Sequence, residues 1–373
     1  MFTFWAIRCN SIAMHNKAFS SQLQNKINQC YQKSNDIKLG SLAFNSPLLL
    51  APMAAICTPP FRLLMEDLGA GGTVSELISC HGINFENKRT LEMLKIDERE
   101  RNVGIQLFGE DASAMAKAAK VALRSNPKFI DINMGCPVRK VVTKGGGSAL
   151  LKNIDELGRF FATVKQAIDI PLTIKIRTGW DAEDVNADKI EKIAHNEGVE
   201  WVAVHGRTRT QQYTGKADWD YIETLATQST LPIIGNGDLH SPMQVKERLE
   251  KTKCSALMIA RGCLRNPFIF LESYSSDTKT SLFKGADYWE IIQRLYDYTC
   301  ETYENERTRL IQMRKLIVWF AAGFPGASKF RNNMFTCQDL DESMKFAMQF
   351  FVGLKDAAKQ INHEETFMTS GHG

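Results

Sequence analysis

Short apolar runs alternate with longer helical stretches along the chain from Asp36 onward. The runs are nearly continuous in hydrophobic residues, which is typical of strands buried on both faces of a parallel sheet. Eight such runs occur, at residues 47–54, 72–78, 103–108, 129–134, 172–177, 201–205, 231–235 and 256–260. Apolar residues at helical spacing lie between them, as at residues 112–124, 154–168, 184–197 and 242–251.

Eight β–α units over roughly 230 residues come close to the ~250 residues of a TIM (β/α)8 barrel. A doubly wound open sheet also alternates strands and helices, but the count of eight and the polar residues that end most strands favour the barrel. After Pro267 the strand pattern stops, and residues from about 284 to 360 have the apolar spacing of three helices, the second ended by Gly323 and Pro325. We therefore predict a barrel at 36–280 and a small all-helical domain and tail at 281–373.

Residues 1–35 contain four basic residues and no Asp or Glu, and they match no barrel element. This composition is faintly like that of a transit peptide. A misassigned or unremoved start ahead of Asp36, with Met14 as another initiator, accounts for it equally well. We leave this N-terminal extension, a candidate disordered segment, outside the predicted fold.

The composition narrows the class of protein. The chain is 44% hydrophobic and 24% charged with a net charge of +4, so a nucleic-acid partner would have to be bound by a local basic patch. Nine cysteines without any C-x-x-C pair argue against a zinc site or a disulfide framework and for a reducing compartment. No apolar run approaches the ~18 residues of a membrane span. We expect a cytoplasmic protein with neither a membrane nor a metal.

The residues that end the predicted strands form the candidate site. In a barrel these ends converge on one mouth, where active sites lie. Most of them are polar, and they would crowd one rim. They are Pro52-Met53-Ala54, Gln106, Asn133 with Cys136, Lys175 with Arg177, His205 with Arg207, Asn236-Gly237-Asp238 and Ala260-Arg261-Gly262.

The last two strand ends suit a phosphate group. Barrels commonly bind phosphate after strands seven and eight, and here glycines flank Asn236 while Arg261 precedes another glycine. Glycine lets backbone N–H groups approach a phosphate closely, and Arg261 adds a bidentate donor. Short glycine motifs are weak evidence, so tight turns without a ligand remain an alternative.

Two pairs of basic residues have the spacing of neighbours on one strand face. Lys175 and Arg177 are two apart, and His205 and Arg207 repeat the pattern on the next strand. Because buried unpaired charges are costly, four such groups indicate an anionic or electron-rich ligand, such as the pyrimidine edge of a flavin or a nucleotide. A solvated rim is the alternative, and His205 alone also fits a core histidine.

Cys136 lies in the sequence Asn-Met-Gly-Cys-Pro just beyond the fourth strand. Gly135 permits a tight turn and Pro137 stops the ladder, so the thiol would be presented at the rim. With an ordinary pKa of about 8.5 it would be mostly protonated and able to act as an acid. For the other eight cysteines, a small buried hydrophobic role is the better interpretation.

A second basic cluster lies in the predicted helical domain. Between residues 307 and 331 there are six Lys or Arg, no Asp or Glu, and four interleaved aromatic residues. Near the thiol, Arg139, Lys140 and Lys144 add positive charge. Such runs are usually solvated faces, but an uncompensated run on a helical appendage is typical of a phosphate-backbone contact.

Together these motifs resemble the dihydrouridine synthase (Dus) family, most closely its bacterial DusB-like branch. The resemblance covers residues from about 36 to about 335, with Leu316 at a position where the branch usually has a histidine. The matching stretches are LAPMA at 50–54, IQLFG at 105–109, DINMGCPVRKVV at 131–142, GSALL at 147–151, KIRTGW at 175–180, VHGRTRTQQYTGKADW at 204–219, IIGNGD at 233–238, ALMIARG at 256–262 and MRKLIVWFAAGFPGASKFR at 313–331.

The resemblance implies an FMN-binding barrel followed by a helical tRNA-binding domain. The implied reaction is NADPH-driven reduction of the C5=C6 bond of specific uridines in the tRNA D-loop, giving 5,6-dihydrouridine. Cys136 matches the proton donor to C5, and Asn133, Arg177 and Arg207 match contacts to the uracil. The implied FMN contacts are Pro52, Met53, Ala54, Gln106, Lys175, His205, Asn236, Gly237, Asp238, Ala260 and Arg261.

Two other functions compete with this one. A barrel flavoenzyme acting on a free pyrimidine, such as a dihydroorotate dehydrogenase-like protein, would turn over free bases and need no basic tail. A tRNA-binding protein without flavin chemistry is the other, against which the intact Cys136, Lys175 and His205 argue. The sequence leaves open the modified position, the choice between NADPH and NADH, and the oligomeric state.

Overall fold

The computed structural model describes residues 18–31, 36–357 and 359–361. Within them, eight parallel strands close into a barrel in chain order, the last pairing with the first. An antiparallel hairpin, β1 (Ile37–Leu39) and β2 (Leu42–Phe44), precedes the barrel. The barrel strands are β3 (Leu48–Leu50), β4 (Gly72–Ser79), β5 (Val103–Phe108), β6 (Phe129–Met134), β7 (Leu172–Arg177), β8 (Val202–His205), β9 (Ile233–Asn236) and β10 (Ala256–Ile259). Each overlaps one predicted run, and the predicted TIM barrel is confirmed.

Sixteen α-helices lie in the described part of the chain. In chain order they are α1 (Ser21–Tyr31), α2 (Pro59–Asp67), α3 (Cys80–Asn84), α4 (Lys88–Glu92), α5 (Ala112–Ala122), α6 (Arg139–Val142), α7 (Ile154–Lys165), α8 (Ala187–Asn196), α9 (Trp219–Gln228), α10 (Pro242–Lys251), α11 (Gly262–Arg265), α12 (Ile269–Glu272), α13 (Gly285–Thr302), α14 (Glu306–Ala321), α15 (Ala327–Met334) and α16 (Leu340–Gly353).

Side-chain caps start several of the barrel helices. Asp111 accepts the Ala114 amide at the start of α5, and Asp218 accepts the Tyr221 amide at the start of α9. Ser241 begins α10 with a full capping box. Because each cap satisfies backbone N–H groups that a helix start leaves unpaired, the strand-to-helix connections at the barrel mouth are fixed locally.

The barrel interior is filled by side chains at its N-terminal end, which the β1–β2 hairpin covers. Leu39 and Phe44 of the hairpin join the cluster formed by inward-facing residues of the barrel strands. Asn102 Nδ2, just before β5, donates to the Ala43 carbonyl. The hairpin lies in a stretch where the sequence predicted no strand, because two three-residue strands are too short for a periodic signal.

Trp201 is the largest side chain in this cluster at the N-terminal end of the barrel. Its indole is 2% exposed and packs edge-on against Phe129, with ring centroids 5.0 Å apart, and against Phe44 at 6.0 Å. Trp201→Ala should therefore lower the free energy of unfolding by about 3–5 kcal/mol, measured by denaturant titration. The control Phe85→Ala removes a ring that is 82% exposed and should change it by less than about 0.5 kcal/mol. Equal stability of the two variants would contradict this packing.

The N-terminal segment, which the prediction left outside the fold, is corrected for residues 18–31. These residues include α1, whose Leu23, Ile27 and Cys30 are buried. Ser20 Oγ donates to a carboxylate oxygen of Glu290 at 2.8 Å, and Lys26 Nζ donates to Asp287 at 2.6 Å. Both acceptors lie on α13, so α1 packs against the helical domain. Residues 1–17 and 32–35 lie outside the described residues.

The helical domain contains four helices, α13 to α16, where the sequence predicted three. The second ends at Ala321, before Gly323 and Pro325, as expected. The missed helix is α15, whose eight residues are mostly polar and bury only Phe330 and Met334. The Phe330 ring stacks on Phe350 of α16 with centroids 4.1 Å apart. Two buried residues on a mostly polar helix give too weak a periodic apolar signal for the helix to be predicted from the sequence.

Candidate active site

A cavity opens at the C-terminal ends of the barrel strands. It encloses about 1060 Å³ when the open space at its mouth is included. Every predicted site residue except Arg207 lines it. These residues are Cys136, Asn133, Arg177, Pro52, Met53, Ala54, Gln106, Lys175, His205, Asn236, Gly237, Asp238, Ala260 and Arg261.

A chain of hydrogen bonds runs from a buried carboxylate to the cysteine loop. Gln106 Nε2 donates to Asp131 Oδ2 at 2.7 Å, and Gln106 Oε1 accepts from Asn133 Nδ2 at 2.8 Å. Asn133 Oδ1 then accepts from the Cys136 amide at 2.9 Å. Because an ionised carboxylate can only accept, Asp131 determines which way both amide groups point. This chain holds the backbone that carries Cys136.

The Cys136 side chain is half-buried at the cavity wall. Ser148 binds the Cys136 carbonyl with its hydroxyl at 2.9 Å and its amide at 3.1 Å. Burial raises the pKa of the thiol, although the Val138 amide and the Arg177 charge act in the opposite direction. A raised thiol pKa keeps the proton on sulfur at neutral pH. The group is therefore suited to donate a proton rather than to attack as a thiolate.

Gly147 is required beside this loop. It has a φ of +58°, and a Cβ there would lie 2.8 Å from the Cys136 carbonyl oxygen. Other residues rarely adopt this backbone conformation, and the contact is too short for a side chain. The glycine lets the chain return close enough for Ser148 to bind the Cys136 carbonyl.

Lys175 is the cation at the centre of the cavity. Its Nζ donates to Asn236 Oδ1 at 2.9 Å, and Asn236 Nδ2 donates to the Met258 carbonyl at 2.7 Å. Burial lowers the pKa of Lys175 to about 8, assisted by the Arg177 charge and opposed by Asp131. The ammonium group is still mostly charged at pH 7, and a negative ligand beside it would raise its pKa again.

Arg207 is buried beside the cavity and does not line its open wall, and its predicted contact with the uracil stays a prediction. The side chain is 3% exposed, and its two terminal nitrogens donate to the two Asp238 oxygens at 2.8 and 2.9 Å. Its other donors bind the carbonyls of Thr214 and Gly215, and Nη1 also lies 3.3 Å from Nε2 of His205, which lines the cavity. These bonds stabilise the loop after β8 and hold the guanidinium group against His205.

His205 adds little positive charge to the cavity. Burial lowers its pKa well below the ordinary value, and the charges of Arg177, Lys175 and Arg207 act in the same direction. The imidazole is therefore neutral at pH 7 and serves as a hydrogen-bonding group. With Arg207 paired to Asp238, the predicted cluster of four cations reduces to Lys175 and Arg177 at this wall.

The glycine after β9 has a packing reason of its own. Gly237 has a φ of +129°, and a Cβ there would lie 2.6 Å from Ala217 Cβ and 3.0 Å from the His205 ring. The Gly237 carbonyl accepts from Trp219 Nε1 at 3.1 Å. The tight turn by itself thus explains this glycine, and a phosphate at the turn remains a proposal.

Tyr213 is a cavity residue that the sequence did not single out. Its ring lies between two guanidinium groups, with Arg261 Cζ 5.1 Å and Arg177 Cζ 5.6 Å from the ring centroid. Arg177 Nη1 also donates to the carbonyls of Thr208 and Gln212 at 2.8 Å. Tyr213 lies in a loop well past β8, where no strand end marks it. An aromatic residue among polar neighbours was the available signal.

The loop that follows β3 is held from two sides at Ala55. The Ala55 amide donates to Glu76 Oε1 at 2.6 Å, and its carbonyl accepts from Lys315 Nζ of α14. Ala55 has a φ of +58°, and Glu76 lies where the pairing of β4 with β5 shifts register. Bulges of this kind commonly re-aim side chains beside active sites. The helical domain therefore contacts the rim of the cavity directly.

The basic run of the helical domain is less available than the sequence indicated. Arg309 binds backbone carbonyls at the end of α13, Arg314 binds the Cys337 carbonyl, and Lys315 binds Ala55. The aromatic residues of the run mostly fill the core: Phe320, Phe324 and Phe330 are 0–4% exposed. The exposed cations of the run are Arg307, Lys329 and Arg331.

Asp131 gives the site a pH dependence of stability. Burial raises its pKa to about 6, although Gln106 and Thr173 donate hydrogen bonds to it. The folded pKa exceeds the ordinary value of about 3.9, so the stabilisation from its protonated form is full below pH 3.9 and lost as the pH rises through 6. Asp131→Asn lacks this loss. Relative to the wild type, its free energy of unfolding should rise by about 2 kcal/mol between pH 4 and pH 7.

This prediction is measured as the difference in unfolding free energy between Asp131→Asn and wild type across that pH range. The asparagine amide also replaces one hydrogen-bond acceptor of the Asp131 carboxylate. That change shifts the difference in unfolding free energy by the same amount at every pH, so it does not affect how the difference varies with pH. Asp220→Asn removes an exposed carboxylate of α9 and controls for the loss of one charge. A difference that stays flat with pH for Asp131→Asn would contradict the assignment.

In residues 18–31, 36–357 and 359–361, no group of three or more His, Cys, Asp or Glu side chains is arranged to hold a metal ion. None of the helices in those same ranges is long and apolar enough to cross a membrane.

The sequence profile of one family, dihydrouridine synthase (Dus), matches residues 49–359. The chain belongs to this family. This family member is 33% identical to tRNA-dihydrouridine synthase B of Pseudomonas aeruginosa over 317 residues, which cover 84% of this chain and 96% of that one. It is 34% identical to tRNA-dihydrouridine synthase B of Proteus vulgaris over 84% of this chain and 98% of that one. The resemblance to the DusB-like branch is confirmed.

A probable tRNA-dihydrouridine synthase of Rickettsia prowazekii is 33% identical over 87% of this family member and 100% of its own length. Among solved structures, the 6-hydroxypseudooxynicotine amine oxidase of Pseudomonas geniculata N1 matches with a TM-score of 0.53 and 12% identity, over 72% of this chain and 53% of that one. Histamine dehydrogenase from Rhizobium sp. 4-9 matches with a TM-score of 0.51. At such low identity these two structures support the barrel fold alone.

Proposed function

We propose that this protein reduces the C5=C6 bond of specific uridines in the tRNA D-loop to 5,6-dihydrouridine, with FMN as cofactor and NADPH as reductant. The observation that carries the proposal is the Cys136 thiol at the wall of a cavity that also contains the buried Lys175 side chain; burial raises the pKa of that thiol. Membership of the family, whose curated relatives are tRNA-dihydrouridine synthases, supplies the substrate class.

The donor set of the cavity fits FMN. Lys175 offers a positive charge for the pyrimidine edge of an isoalloxazine, and Gln106 and Asn133 are side-chain amides beside it. The Pro52–Met53–Ala54 loop offers an apolar wall, while Arg261 and the backbone around Gly237 suit the phosphate. His205, Asn236, Asp238 and Ala260 complete the proposed contacts. When bound, FMN supplies the hydride that the uracil C6 receives, having taken it from NADPH.

Cys136 is proposed to supply the proton. Addition of a hydride at C6 leaves negative charge on C5 and O4 of the uracil, and the Cys136 thiol protonates C5. Burial holds that proton on sulfur until it is needed, since the pKa of the thiol is raised. Arg177 and Asn133 are proposed to orient the uracil, because both line the cavity beside Cys136. Arg207, which lies against His205, keeps its proposed role at the uracil and also stabilises the loop after β8.

The substrate base must leave its stack to reach a cavity at the centre of the barrel mouth. The tRNA would then be held by its backbone and shape, which requires exposed cations around the mouth and on the adjoining domain. Arg139, Lys140 and Lys144 lie next to the Cys136 loop. Arg307, Lys329 and Arg331 are exposed on the helical domain. We place the protein in the cytoplasm on the basis of this substrate.

The experiment that tests this function uses the purified full chain. Released cofactor is identified, and NADPH oxidation and dihydrouridine formation are followed with unmodified tRNA and with free uracil. We expect FMN, and turnover with tRNA but not with uracil. Turnover of free uracil would favour the free-pyrimidine enzyme, and tRNA binding without NADPH oxidation would favour a binding protein. Either result would overturn the proposal.

A further inference from the structure

Phe85 is the most exposed large hydrophobic side chain in the part of the chain that the structure describes, at 82%. The turn that carries it is ordered: the Phe85 amide donates to the His81 carbonyl at 2.9 Å, and Glu86 adopts a φ of +54°. Asn87 then caps α4 by accepting the Thr90 amide at 3.1 Å. The ring is therefore held in solvent by a fixed turn. Burying an aromatic ring stabilises a fold, and the Phe85 ring, left in solvent, provides none of that stabilisation.

This turn lies on the side of the barrel where the strands end, near the segment that follows Cys136. It follows β4 at its C-terminal end, where Ser79 pairs with Phe108 of β5. His81 Nε2 lies 2.9 Å from Glu110 Oε1. Glu110 in turn packs against Gly145, where a Cβ would lie 3.0 Å from Glu110 Cβ. Two contacts thus connect the Phe85 turn to the segment that follows Cys136.

The segment beside the turn is basic and exposed. Residues 137–147 contain Arg139, Lys140 and Lys144 and no Asp or Glu, and all three side chains are exposed. Arg89, four residues after Phe85, is exposed as well and acts electrostatically on Glu76, the residue that binds Ala55 at the cavity rim. An exposed aromatic ring near exposed cations is an arrangement with which proteins bind unpaired nucleotides.

We propose that the Phe85 ring stacks on an unpaired base of the tRNA next to the target uridine, while Arg139, Lys140 and Lys144 hold the adjoining phosphates. This inference rests on the proposed function and specifies its substrate-binding surface. Extruding the target uridine breaks its stacking with a neighbouring base. A ring held on this side of the barrel replaces that lost stacking and keeps the neighbouring nucleotide from closing the gap.

The test compares Phe85→Ala, Phe85→Leu and Phe85→Trp in the full-length holoenzyme. Base–aromatic stacking is worth roughly 1–3 kcal/mol per base, so Phe85→Ala should raise the KM for unmodified tRNA about 5-fold to 150-fold. The kcat at saturating tRNA should change little, because stacking outside the cavity affects binding rather than chemistry. Phe85→Trp should retain wild-type KM and Phe85→Leu should not. Val352→Ala, which trims an exposed apolar side chain of α16, is the matched control.

NADPH oxidation without tRNA is measured in each variant and should equal that of the wild type, which shows that the cofactor site is intact. A Phe85→Leu or Phe85→Ala enzyme with wild-type KM would overturn the stacking role while the wild type still modifies tRNA. Failure of the wild type itself to modify tRNA would instead overturn the proposed function. Sedimentation of wild type and Phe85→Ala tests a second copy of the chain as the partner. A dimer that the substitution dissolves would assign the ring to self-contact and contradict the proposal.

Discussion

Replacing Cys136 by alanine should lower the rate of dihydrouridine formation about 100-fold or more while leaving FMN bound. General acid catalysis typically contributes 10²–10⁴-fold to a rate, and the alanine side chain has no proton to give. The cofactor residues are unaffected, because Cys136 contributes to the loop through its backbone amide and carbonyl, which Asn133 and Ser148 bind. The measurement is dihydrouridine formed per enzyme on unmodified tRNA, together with the flavin absorbance of the purified variant.

Cys300→Ala is the control, since Cys300 lies on α13 and does not line the cavity; it should retain full activity.

The pH profile of the wild-type enzyme gives a second test of the thiol's role. Because burial raises the pKa of the Cys136 thiol, loss of the thiol proton should contribute to a fall in activity only at pH values above the ordinary thiol range of about 8.5. Undiminished turnover by Cys136→Ala would exclude the thiol as the proton donor.

Lys175→Met is the second substitution with a large expected effect. It keeps most of the length of the side chain but removes the cation that donates to Asn236. Charge stabilisation in a water-poor site commonly contributes 10²–10³-fold to kcat per group, so NADPH-dependent turnover should fall by about that factor. Asn236 remains held by the Met258 carbonyl, which limits the structural damage. The measurement is the rate of NADPH oxidation with and without tRNA.

Lys192→Met provides the comparison, because Lys192 is an exposed lysine on α8 outside the cavity and its loss should not affect turnover. The wild-type profile should also report Lys175 directly. Burial lowers its pKa to about 8, so in the free enzyme the cation, and activity that depends on it, declines as the pH rises through that value. Wild-type rates for Lys175→Met at pH 7 would show that this charge has no role in the reaction.

Much of the fold was predictable because parallel barrel strands are buried on both faces and therefore leave long apolar runs. The strand ends could be read in the same way, since barrel topology brings them to one mouth, and this located Cys136, Lys175 and the rest of the cavity wall. Arg207 does not line the cavity wall because it pairs with Asp238, and this pairing depends on a loop that folds back over the strand end. Spacing along β8 carries no information about that loop.

The features that were missed are short or non-local. The β1–β2 hairpin and α15 contain too few buried residues for a periodic signal. Helix α1 is amphipathic, but its partner on α13 lies more than 250 residues away. The availability of Arg314 and Lys315 was overestimated for a similar reason. Composition shows that a run is basic, but not that its cations bind carbonyls elsewhere in the fold.

The central claim, that this protein forms dihydrouridine in tRNA through Cys136, is tested most directly in cells that lack it. Dihydrouridine is mapped in tRNA from the deletion strain and from strains that carry wild-type or Cys136→Ala protein. We predict that the target D-loop position remains uridine in the deletion strain. Dihydrouridine should return there with the wild-type protein and should not return with Cys136→Ala. An unchanged set of dihydrouridines in the deletion strain, or restoration by Cys136→Ala, would contradict the account.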